Sequence, residues 1–183
     1  MTKLTKKNRD YNGILTADRL LGVYDDPRPH ILYFFVGADG DVLYKTDGYN
    51  LFRMRLTDKF PSYAIISVFK KSGSITMNVE PPCEAYDIPR VVSMATGVLS
   101  IDECSKRFTI NKDFDKPDLL QVLCEIIANN NITIDFIKLY DMIYSLRHNI
   151  TEFYVSTCDN GVLISSDYFD YYTSTYGKKG NIK

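Results

Sequence analysis

The sequence predicts an α+β fold: a mostly antiparallel sheet with its helices grouped apart from the strands. Three observations lead there. Short β-branched and aromatic runs, separated by glycine-containing turns, fill residues 30–80. Helical spacing of apolar residues then dominates 99–148. An Asn-Gly pair between two strand-like runs marks a last hairpin at 151–166.

Residues 1–12 are polar and basic and read as a flexible end. Thr16 is placed to cap a short helix, Ala17 to Leu21, stopped by Gly22 and then by Asp26-Pro27-Arg28-Pro29. His30 to Val36 and Asp41 to Thr46 flank the Gly37–Gly40 turn as a hairpin. Tyr49 to Leu56 alternates, with Leu51, Arg53 and Arg55 on one face and Phe52, Met54 and Leu56 on the other. Tyr63 to Lys70 and Ile75 to Val79 form a second hairpin, and Pro81-Pro82 ends this half.

Ser100 with Glu103 has capping-box spacing for a helix over about 100–108. Pro117 opens a helix over about 117–128, with Leu119, Leu120, Val122, Leu123, Ile126 and Ile127 as its apolar face. Asn129 to Asn131 break it. Thr133 is placed to cap the longest helix, 134–147, whose polar stripe is Asp135, Lys138, Asp141, Ser145 and His148. A helix with so narrow a wet stripe must be covered by the core or by a partner, and self-association is one way to cover it. Glu152 to Thr157 and Val162 to Ser165 flank the Asn-Gly turn. The expected organisation is one α+β domain over 13–176, followed by a flexible basic tail at 177–183.

At 183 residues, with 45% hydrophobic and 25% charged residues, the chain can hold a core without metals or disulfides. No apolar run reaches membrane-spanning length, and no apolar segment follows the basic Lys3, Lys6, Lys7 and Arg9 as in a secretory signal. The expected location is therefore the cytoplasm. Cys83, Cys104, Cys124 and Cys158 include no Cys-x-x-Cys pair and read as reduced thiols, with Cys104 and Cys124 in helical core and Cys158 exposed in a turn. Lys (14), Asn (11), Ile (17), Tyr (14) and Phe (10) are the residues of A/T-rich codons. That bias is common in low-GC bacteria, their phages and other viruses, and the host cytoplasm would be the setting of a viral protein.

Catalytic fingerprints are missing. Only His30 and His148 are available, and no cysteine sits at zinc-ligand spacing. The acidic run Asn111, Asp113, Asp115 and Asp118 lacks the glycine and terminal glutamate of a calcium loop, since Lys116 and Val122 stand there. Phosphate-binding, dinucleotide-binding and hydrolase glycine motifs are absent. Leu99 to Ile110 resembles the first helix and turn of a helix-turn-helix, but Asp113, Asp115 and Pro117 occupy the expected recognition helix. The expectation is a protein without catalytic activity, cofactor or metal.

The net charge of −1 conceals a segregation. Residues 45–71 hold 6 basic and 2 acidic side chains, whereas residues 72–176 hold 15 acidic and 7 basic. The acidic half ends in a tyrosine-rich stretch, and Asp167, Tyr168, Asp170, Tyr171, Tyr172 and Tyr176 are the candidate protein-binding residues. Tyrosine gives large contact area at low entropy cost, and interleaved carboxylates suit a basic partner surface. The function this points to is an interaction protein docking on a basic surface of a nucleic-acid-handling complex, in keeping with a viral or phage accessory protein. The alternatives are a structural subunit of a virion-type assembly and direct nucleic-acid binding. For the latter, the candidate residues are Lys45, Arg53, Arg55, Lys70 and Lys71 on a basic, aromatic sheet face.

Overall fold

An unbroken apolar run such as Phe34–Val36 can be buried on both faces of a sheet only if cover lies on both sides. The computed structural model describes residues 2–81, 86–100, 106–109, 119–125, 134–158 and 161–174. The chain divides into two compact units, Met1–Val98 and Leu99–Lys183, where the sequence suggested one domain.

The first unit contains β1 (Thr2–Thr5), α1 (Tyr11–Leu21), the single turn α2 (Pro29–Leu32), β2 (Phe34–Val36), β3 (Val42–Thr46), β4 (Asn50–Arg55), β5 (Ile65–Lys71), β6 (Ser74–Glu80) and α3 (Ile88–Val98). Its strands are ordered β1-β6-β5-β2-β3-β4, and the pairings within it are antiparallel. One face carries Leu4, Ile75, Met77, Ile66, Phe34, Val36, Leu43, Met54 and Phe52, all buried. Ile14, Ala17 and Leu21 of α1 are buried too. An ion pair of 3.4 Å joins Asp18 of α1 to Lys70 of β5 on this face. The other face carries Phe35 and Tyr44, stacked at 5.2 Å, with Ile65 beside them. Here α3 buries Ile88, Val92 and Ala95. A 3.2 Å hydrogen bond joins the Tyr44 hydroxyl to Thr96.

The second unit contains β7 (Lys106–Thr109), α4 (119–125), α5 (Phe136–Leu146), a 3-10 turn (Arg147–Asn149), β8 (Glu152–Cys158), β9 (Gly161–Ser165) and β10 (Phe169–Ser174). The strands are antiparallel in the order β10-β9-β8-β7. Leu119, Leu123, Leu139, Met142, Ile143, Leu146, Phe153 and Ile164 supply buried apolar side chains. At the β8–β9 hairpin, a Cβ on Gly161 would collide with the Tyr172 ring and the Thr173 carbonyl, so only glycine fits there.

The antiparallel α+β prediction holds, with local differences. The stretch read as a flexible N-terminal end enters the sheet as β1, because Leu4 finds a buried place opposite Ile75. The first helix begins at Tyr11 after Asp10, not at Ala17. Asp10 is buried, and its carboxylate accepts bonds from the backbone N–H (2.8 Å) and hydroxyl (3.1 Å) of Thr57. Residues 29–32 turn helically instead of extending. Pro29 suits a first helical position, and Arg28 donates to both Asp26 carboxylate oxygens at 2.9 and 2.8 Å, holding the turn before it. Helix α3 is not expected from the sequence, although Asp87 accepts from the Arg90 N–H at 3.2 Å in a cap that Pro89 accompanies. Residues 106–108, assigned to a helix, are strand, and Phe108 stacks on Phe153 at 5.4 Å. The remainder of the 100–108 helix beyond Ser100, Thr133 and the ends of the 117–128 helix lie outside the described residues. So does the tail at 177–183.

Lys45 is a further correction: it is 1% exposed and cannot contact nucleic acid. It points to the α1 face, in register with Phe52, and its Nζ donates to the carbonyls of Ile31 (2.6 Å) and Thr46 (3.0 Å). The ammonium thus ties α2 to β3. Lys45→Met keeps the bulk but leaves both carbonyls without this donor. It should destabilise the protein by about 1–3 kcal/mol, read as a lower midpoint in urea unfolding.

Candidate interaction surfaces

Alternation along β10 decides the fate of the tyrosine-rich segment. Phe169, Tyr171 and Thr173 face inward and are buried, and Tyr168 is buried just before them. Tyr168 and Tyr171 therefore belong to the core and offer no docking surface. Asp170 and Tyr172 are half-buried on the opposite face and Asp167 is exposed. Tyr176 lies outside the described residues.

The basic candidates are also separated. Lys45 and Lys70 belong to the α1 face, whereas Arg53, Arg55 and Lys71 belong to the opposite one. Arg53 is half-buried opposite Tyr44, and exposed Arg55 pairs with Asp41 at 3.3 Å. Period-2 alternation separates Lys70 from Lys71, which the charge count alone does not reveal.

Helix α5 carries apolar surface that the sequence leaves open between core and interface. Its N-cap Asp135 accepts from the Lys138 N–H at 3.1 Å, and Leu139, Met142, Ile143 and Leu146 are buried. Ile137, outside the polar stripe expected from the sequence, is nevertheless 71% exposed. Beside it runs a half-buried aromatic column. Phe136 stacks on Tyr140 at 6.4 Å, Tyr140 on Tyr144 at 5.7 Å, and the Arg147 guanidinium lies 3.7 Å over the Tyr144 ring. Cys124, expected in the core, is exposed on α4.

A cleft of about 650 Å³ opens in the first unit, lined by Tyr63, Ile65, Val79, Tyr86 and Ile88. Tyr63 holds a left-handed φ of 60°, unusual for a bulky residue. Its N–H donates to Gly37 at 3.3 Å, and Phe60 N–H donates to Gly40 at 2.9 Å, so the loop is pinned to the 37–40 turn. His30 contacts the rings of Phe35 (6.5 Å) and Tyr86 (6.1 Å) edge-on, and its buried Nδ1 meets no hydrogen-bond partner among the described residues. Burial, with the nearby Arg28 charge, lowers the His30 pKa, and Asp26 opposes this. Among the described residues no group of three His, Cys, Asp or Glu side chains could hold a metal ion, and no helix is long and apolar enough to cross a membrane.

Comparison with solved structures defines the fold class. The chain is similar to the β subunit of DNA polymerase III from Thermotoga maritima, with a TM-score of 0.56 at 9% identity, over 98% of this chain and 66% of that one. It is similar also to the β subunit from Borrelia burgdorferi, solved in complex with a natural product, with a TM-score of 0.54 at 8% identity, over 97% and 63%. The chain thus spans slightly less than two thirds of the length of these solved structures. Neither a family model nor a curated protein sequence matches it. The fold resembles that of the β sliding clamps.

The half-buried imidazole makes stability depend on pH. His30 is harder to protonate folded than unfolded, so the unfolded chain binds more protons below the ordinary value of 6.5. Stability present at pH 7.5 should fall as pH drops through that value. His30→Gln should flatten this part of the dependence in thermal unfolding scans between pH 7.5 and 5.5.

Proposed function

We propose that the protein is a non-catalytic, clamp-like platform that binds other proteins within a nucleic-acid-handling complex. The observation that carries this is the fold likeness, which takes in nearly the whole chain and falls on polymerase β subunits. The partner surface lies on the second unit, where Ile137 stands exposed beside Tyr140, Tyr144 and Asp141. Apolar and aromatic groups next to a carboxylate suit a partner with a basic, partly apolar face. Asp167, Asp170 and Tyr172 form a second acidic-aromatic patch of the same character. The codon-linked residue bias favours a viral or phage accessory protein acting in the host cytoplasm. Direct contact with nucleic acid is the second reading, favoured by basic residues on the first unit.

The test is affinity capture with tagged protein, with and without nuclease. Protein partners that survive nuclease and are lost with Ile137→Asp support the proposal. Ile137 is exposed, so the variant should keep the wild-type melting temperature. Captured proteins that all vanish on nuclease treatment, or that bind the variant equally well, overturn it.

A further inference from the structure

At the far end of the first unit's sheet, large side chains on the face opposite α1 are exposed. On the face opposite α1, registered pairing places Lys3, Thr76 and Phe69 in one row across β1, β6 and β5. The next row is Thr5, Ser74 and Lys71. Strand spacing puts Lys3 about 10 Å from Phe69, with Lys71 two residues along the same strand. Phe69 is 56% exposed, and Lys3 and Lys71 are exposed with it. Directly after β1 the chain turns, its Thr5 N–H donating to the Asn8 side chain at 2.8 Å. Lys6 and Lys7 stand exposed on that turn, at the same end of the sheet as the β5–β6 hairpin. Among the described residues no carboxylate lies within ion-pair distance of Lys3, Lys6, Lys7 or Lys71. Lys70, by contrast, points to the α1 face and pairs there with Asp18.

We infer that this face binds single-stranded nucleic acid, with a base stacked on Phe69 and phosphates held by Lys3, Lys71 and the Lys6–Lys7 turn. Four exposed ammonium groups with no carboxylate partner among the described residues make a positive surface that attracts an anion. The aromatic ring among them selects its form. A base can lie flat on Phe69 only if it is unpaired and unstacked, which a duplex forbids and a single strand allows. Lysine meets phosphate as a point charge, without base-specific hydrogen bonds, so binding tolerates sequence. The inference uses the first unit alone and does not rest on the clamp-like reading.

The experiment is fluorescence anisotropy of a labelled 20-nucleotide oligo-dT at several salt concentrations. Phe69→Ala should weaken binding about tenfold or more, as expected for one lost stacking platform, while Phe69→Trp should retain it. Lys3→Ala with Lys71→Ala should lower the slope of log affinity against log salt by about 1.4, two phosphate contacts on a single strand. A 20-base-pair duplex should bind more weakly than the oligo-dT. All the substituted side chains are exposed, and unchanged thermal melting confirms the fold. No binding of oligo-dT, or a complex indifferent to Phe69→Ala, would falsify the inference. So would equal affinity for the duplex or for vesicles containing phosphatidylserine.

Discussion

The first unit depends on burying both faces of its sheet where β2, β3 and β4 run side by side. Phe34, Val36, Leu43, Phe52 and Met54 need cover on one side, and Phe35, Tyr44 and Ile65 on the other. Helix α1 meets the first need and α3 the second. A charge buried near the middle of this sheet must then be satisfied internally, which is why the Lys45 ammonium hydrogen-bonds two carbonyls. Where β5 and β6 run past the end of β2, the double layer gives out. The face opposite α1 is wet there, and it holds the exposed ring and lysines of that end.

Much of this architecture was legible. The β2–β3, β5–β6 and β8–β9 hairpins, the strand β4 and the long helix follow from alternation, turn residues and helical spacing. What failed did so for local reasons. β1 is too short to show a period, and its lysines look like a solvated end. The run at His30 was apolar enough for a strand, but the Asp26–Arg28 fork and Pro29 set a helical turn first. Capping residues at 100–103 suggested a helix, yet Lys106–Thr109 pairs with β8 along a full register. Tertiary pairing outweighed local propensity there.

The interaction surfaces were less legible than the fold, because composition does not say which way a side chain points. A tyrosine-rich stretch looks like one binding patch, but a strand divides it between two faces, and Tyr171 goes to the core. A run of lysines looks like one basic face, but Lys70 and Lys71 point to opposite sides of the sheet. The converse occurs on α5. Ile137 counts as apolar in any pattern, yet it stands in solvent beside a column of rings. In each case backbone geometry decides whether a residue contributes to packing or to recognition.

The pairing of β1 with β6 also bears on how the chain is made. Thr2 faces Met77 and Thr5 faces Ser74, so β1 leaves the ribosome long before the strand that receives it. At roughly 5–20 residues per second, the wait lasts several seconds. During that time Leu4 and Ile14, both buried at the end, have no finished sheet to cover them. The nascent first unit therefore passes through a stage at which its earliest apolar segments are accessible to chaperones, and emergence of residue 80 closes that stage.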